Sequence, residues 1–194
     1  MSERVPVFGA WFDSRDPKGP ANGVTVFPPK SVEVVGPLVF LAGPIKGSAR
    51  WQDEAISYLE RNAPVLNIAS PRKSLDRAAD YSENDYIDQV DWESDYLRRA
   101  AKEGVIAFFF AKEETHFCDR PFARTTRIEF GEWMAHHELE GTKLVVGFEE
   151  GFDGDKYIRH RLQTLPGIQI GESLEAMLDM VIDAALLGSP SRTA

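Results

Sequence analysis

A carboxylate can act as a nucleophile only while ionised, and Thr125-Thr126-Arg127-Ile128-Glu129-Phe130-Gly131-Glu132-Trp133 is where this chain best offers one. The stretch sits where a loop enters a predicted helix over 127–139, so the positive end of the helix dipole would favour the charged form of Glu129. Thr126 and Glu129 also have the Thr-x-x-Glu spacing of a capping box, in which Glu129 would only satisfy the Thr126 backbone. Spacing alone supports both readings. Gly131 would let a backbone or a ligand come close, and Glu132, one helical step on, is the fallback carboxylate.

Two further segments carry polar groups at useful spacings. On a helix predicted over 84–102, Asp88, Asp91, Trp92 and Asp95 fall at i, i+3, i+4 and i+7 and share a face. Such a face is most often solvated. Turned to a cleft, it would let a carboxyl from Asp91, Glu93 or Asp95 protonate a leaving nitrogen, with Trp92 stacking on a flat ring. In Gly43-Pro44-Ile45-Lys46-Gly47-Ser48, two glycines permit close backbone approach, and a helix capped by Ser48 would present free N–H groups to an anion or a sugar hydroxyl. The same residues also make an ordinary strand-to-helix turn.

Several classes of function find no support. The four histidines are scattered without metal-ligand spacing, the single cysteine Cys118 has no nearby histidine, and neither a Walker loop nor a Gly-x-Gly-x-x-Gly occurs. No metal or cofactor is expected. With 22 basic against 31 acidic side chains, the formal charge of −9 argues against duplex nucleic acid as a partner. No apolar run approaches the ~20 residues of a membrane helix, and the N-terminal stretch lacks a signal-peptide core. A lone cysteine suits a reducing compartment, so cytoplasmic residence is the expectation.

The elements that must position these residues alternate in type. Short apolar runs at 37–42, 65–68, 105–110 and 144–148 read as buried strands, with a short one at 168–170. Helices are predicted over 49–61, 84–102, 127–139, 155–163 and 173–187. This order predicts one α/β domain over 37–194 with a parallel sheet and helices on both faces, preceded by an extension over 1–36 with β-type pieces at 24–27 and 32–35. Ligands of such sheets bind beyond the carboxyl ends of the strands, which is where 43–51, 69–84, 111–129 and 148–156 lie. The last helix, with Met177, Leu178, Val181 and Ile182, fits either core or an interface.

Val39-Phe40-Leu41-Ala42-Gly43-Pro44, then Gln89 with Asp91-Trp92-Glu93 and Leu97, then the string 125–133, resemble in type and order the nucleoside 2-deoxyribosyltransferase-like family over about residues 38–150. The resemblance implies a flavodoxin-like (Rossmann-like) fold with about five parallel strands. It carries the nucleophile onto Glu129 and places base-recognising acids among Asp91, Glu93 and Asp95. Glu129 would attack the anomeric carbon of a nucleoside and form a covalent glycosyl ester, released by water or by a free nucleobase acceptor. Homo-oligomers are common in the family and are expected here.

Two departures qualify this expectation. Val39 or Phe40 stands where the better-known transferases have a tyrosine that orients the nucleophile, so that hydroxyl would come from Tyr81 or Tyr86; an aspartate shortly before the glutamate is also missing. Arg124 and Arg127, with Lys46, could instead grip the 5′-phosphate that related nucleotide N-glycosidases require. Three activities therefore compete: exchange of bases, hydrolysis of a nucleoside or its monophosphate, and nucleotide binding without turnover.

Overall fold

A computed structural model of the chain describes residues 22–72 and 83–186. Strands β1 (Thr25–Val26), β2 (Leu38–Ala42), β3 (Asn67–Ala69), β4 (Val105–Phe110), β5 (Leu144–Phe148) and β6 (Gln169–Gly171) form a single sheet in the order β1-β3-β2-β4-β5-β6, every pair parallel. Without the two-residue edge strand β1, the order of the remaining five is that of flavodoxin-like sheets, and the expected α/β flavodoxin-like class is what the chain adopts. Helices α1 (Trp51–Asn62), α2 (Glu83–Glu103), α3 (Arg124–Glu140), α4 (Asp155–Leu162) and α5 (Leu174–Leu186) cover it.

The strands are buried on both faces because their side chains alternate between two cores. Leu38, Phe40, Ile106, Phe108 and Phe110 meet Trp92, Tyr96 and Phe130 from α2 and α3 on one face. Val39, Leu41, Val105, Ala107 and Phe109 meet Trp51, Ala55 and Leu59 of α1 and Met177, Leu178 and Val181 of α5 on the other. The last helix is thus a core element, with Ile182 partly buried against the same cluster. Asn67, almost fully buried, ties the N-terminal segment to the sheet: its Oδ1 accepts from the Val24 N–H at 3.1 Å and its Nδ2 donates to the Val35 carbonyl at 3.0 Å.

Two expected local features differ. Residues 32–35 form no strand; they run as a strap over α2, where the Tyr96 hydroxyl bonds both the N–H and the carbonyl of Val32 at 2.8 and 2.9 Å. Ser48 does not cap α1, which begins at Trp51 after Arg50; its hydroxyl donates instead to the Pro44 carbonyl at 2.8 Å and folds the 44–48 loop upon itself.

Candidate active site

The sheet reverses its winding between β2 and β4, and a cleft of about 680 Å³ opens there at the carboxyl ends of the strands, between α2 and α3. Its volume is that of a small-molecule site. The β2 end supplies Ala42, Gly43, Pro44 and Lys46; α2 supplies Tyr86, Gln89, Val90, Glu93, Ser94, Leu97 and Arg98; and α3 with its approach supplies Arg120, Arg124, Thr125, Thr126, Glu129, Glu132 and Trp133.

Gly43 closes the floor. A side chain there would place its Cβ 2.4 Å from the Phe109 carbonyl oxygen and 2.6 Å from the Trp51 ring. The closeness of this glycine therefore serves the chain's own packing, and the Trp51 indole N–H donates to the Pro44 carbonyl at 3.0 Å, fixing the loop above it. Gly43→Ala is expected to destabilise the protein by about 1–3 kcal/mol through overpacking, measurable as a lower urea midpoint.

Helix α3 begins three residues earlier than its sequence suggests. Ala123 enters it in the left-handed conformation (φ 53°), and no side chain caps it. Thr126 is therefore a third-position residue within the helix, and the capping-box role for Glu129 is overturned: Glu129 lies in the second turn, facing the cleft. The dipole no longer explains its charge state either. Burial, reinforced by repulsion from Glu93 and Glu132, pushes the Glu129 carboxyl up to about 7. At neutral pH Glu129 is therefore divided between its protonated and ionised forms.

Glu93 faces the same space from α2. Burial raises its carboxyl, while a hydrogen bond from the Gln89 side-chain amide at 2.7 Å acts in the opposite direction. The rest of the acidic stretch lies elsewhere. Asp91 and Asp95 are exposed and outside the cleft lining, Asp95 sitting 4.0 Å from Arg99. Trp92 does not reach the cleft: its ring packs against Tyr96 and Phe40 at centroid distances of 4.4 and 6.2 Å, and its indole N–H donates to the Lys30 carbonyl at 2.9 Å. One helical position turns the chain about 100°, so the stripe at 86, 89, 90, 93 and 97 faces the cleft while Trp92 and Tyr96 face the core.

Arg127 also departs from expectation. It donates to the Asp153 carbonyl at 2.9 Å and packs 5.0 Å from the Phe152 ring centroid, beside a shallower depression rather than in the cleft. Its place on the cleft wall is taken by Arg120, which sequence reasoning missed. Trp133 and the exposed Tyr86 are the aromatic residues of α3 and α2 that line the cleft; Tyr81 lies outside the described residues. Gly131 is exposed, outside the cleft lining, and a Cβ there would meet nothing within 4 Å. Gly131→Ala is accordingly expected to stabilise the monomer by about 0.5–1 kcal/mol with turnover retained. Lost turnover would mean that another chain or a ligand reaches this point.

Among the described residues no group of three or more His, Cys, Asp or Glu could hold a metal ion, and no helix is long and apolar enough to cross a membrane. The sequence matches the family model described as nucleoside 2-deoxyribosyltransferase like, over residues 36–152. The chain belongs to this family. The match takes in β2 to β5 and every residue of the cleft. No protein of curated function matches the chain. A conserved protein from Enterococcus faecalis V583 is similar in structure, with 13% identity over 77% of this chain and 98% of that one, at a TM-score of 0.46.

Proposed function

We propose that this cleft breaks the N-glycosidic bond of a nucleoside, with Glu129 as nucleophile and Glu93 as the acid that protonates the departing base. The observation that carries this reading is the juxtaposition of two partly buried carboxyls in one cleft, on facing helices, each raised above the ordinary carboxyl range and one raising the other. Burial raises both carboxyls, and the charge of Glu93 adds to the rise at Glu129.

The productive form has Glu129 ionised and a proton on Glu93. The Glu129 carboxylate attacks the anomeric carbon as the bond to the base nitrogen breaks, and the electron pair left on the base takes the Glu93 proton. The product is a glycosyl ester on Glu129 and a neutral base. Positive charge developing on the sugar stabilises the ionised Glu129 at the moment it is needed, so a pKa of about 7 does not prevent attack. Glu93, now ionised, then takes a proton from the acceptor. If water is the acceptor the reaction is hydrolysis, and if a second free base enters, exchange.

Quenching the full-length protein with acid during turnover and measuring the mass of the peptide carrying Glu129 tests this directly. The expected result is a peptide heavier by one pentosyl unit, absent in Glu129→Gln. An unmodified peptide, together with a product of inverted anomeric configuration, would instead mean direct displacement by water.

A further inference from the structure

Resting on that glycosidic reading, we propose that Gln89 is a positioning residue for the acid: its side-chain amide holds one oxygen of Glu93, which leaves the proton, and the direction of its delivery, to the other.

Gln89 stands one helical turn before Glu93 on α2, and both line the cleft. Its Nε2 donates to two oxygens, the Glu93 Oε1 at 2.7 Å and the Pro71 carbonyl at 3.3 Å. A backbone carbonyl can only accept, so the amide must turn its nitrogen, and not its oxygen, toward this pair. The nitrogen carries two hydrogens, one for each oxygen. Pro71 is a firm anchor for this arrangement. It is buried, as are its neighbours Ser70 and Arg72, and the Arg72 guanidinium donates to the Ile45 and Ala49 carbonyls at 2.6 and 3.0 Å. The segment after β3 is thereby tied to the loop after β2, and through Gln89 to the acid on α2.

An N–H that faces Oε1 needs a lone pair there, and in a neutral carboxyl the doubly bonded oxygen is the better acceptor. The proton of Glu93 therefore belongs on Oε2. As that proton passes to the departing base, charge grows on the carboxyl and the bond from Gln89 strengthens, because a hydrogen bond to an ionised acceptor is roughly twice as strong as one to a neutral group. Gln89 thus acts on the proton transfer itself. Burial alone would make Glu93 a reluctant acid, and the Gln89 amide works against burial.

The other titratable groups lining the cleft are Tyr86 and Arg98 on α2, Arg124, Glu129 and Glu132 on α3, and Arg120 and Lys46 in the loops. Among the described residues none of these hydrogen-bonds or ion-pairs with Glu93, whereas Gln89 does. Replacing the amide leaves all of them in place, so a change in how Glu93 titrates reports on Gln89.

The test compares full-length wild type, Gln89→Leu, Glu93→Gln and the double variant on two nucleosides that share a sugar, one with an ordinary base and one whose base carries electron-withdrawing groups and leaves without a proton. In parallel, the Glu93 carboxyl is titrated by carbon NMR of protein labelled at glutamate, with Glu93→Gln assigning the signal. Gln89→Leu is expected to lower kcat on the ordinary base by about 10- to 100-fold with KM little changed. On the activated base the loss should be far smaller, and the retained rate shows that the variant is folded. The double variant should be no slower than Glu93→Gln alone, and Glu93 in Gln89→Leu should titrate at a higher pH than in wild type. Equal losses on both substrates, a loss that adds to that of Glu93→Gln, or an unmoved titration would overturn the role of Gln89 and leave the glycosidic reading standing. If wild type cleaves no nucleoside, the glycosidic reading itself fails and the role of Gln89 falls with it.

Discussion

Glu129→Gln is expected to reduce turnover by ~10⁴-fold or more while making the folded protein more stable at neutral and alkaline pH. The first effect follows from removing the proposed nucleophile, since a neutral amide would not form the glycosyl ester. The second follows from the pKa. In the folded protein the Glu129 carboxyl stands at about 7, against 4.5 as its ordinary value. Below pH 4.5 both states hold the proton and folding costs nothing extra. Between 4.5 and about 7 the unfolded chain has released the proton and the folded protein has not, so stability falls as pH rises; above about 7 the penalty is complete. One pKa unit is about 1.4 kcal/mol, so the full penalty is on the order of 3 kcal/mol. Glutamine keeps the shape and removes the charge. Urea unfolding at pH 5 and pH 8 should therefore show little gain for the variant at the lower pH and about 2–3 kcal/mol at the higher. A gain of the same size at both would mean that burial of the charge is not its source.

The second large effect is expected at Glu93. Glu93→Gln should slow release of an ordinary base by about 10²- to 10⁴-fold, the usual contribution of a general acid. The loss should be much smaller for a substrate whose base leaves readily without a proton, which separates an acid from a residue that merely holds the base. The variant should also lower the Glu129 pKa, because Glu93 is the larger of the two charges acting on it after burial. The pH at which turnover begins to rise should then move to the acid side. A limb that stays in place, with equal losses on good and poor leaving groups, would assign Glu93 to packing.

The fold was legible wherever burial on both faces forced continuous apolar runs. Residues 38–42, 105–110 and 144–148 read as central strands for that reason. The edge strand Thr25–Val26 is too short for a pattern of its own and depends on partners in β3 and on Asn67. In the site, Gly43, Pro44, Lys46, Glu93, Arg124, Thr125, Thr126 and Glu129 were all legible as cleft residues. Trp92 was not, because α2 buries two adjacent stripes and spacing within a helix does not say which one meets the sheet. The start of α3 was hidden by Ala123, an alanine in a conformation that ordinarily marks glycine. Arg120 joined the site through the fold of the loop before α3, which local spacing does not encode.

The most direct test of the central claim is chromatographic. Wild type and Glu129→Gln are incubated with a panel of nucleosides, deoxynucleosides and their 5′-monophosphates, with and without a second free base, and the bases and nucleosides are separated. Cleavage or exchange by wild type and none by the folded variant is the expected result. Equal turnover by both proteins, or none by wild type across the panel, would contradict the role assigned to Glu129.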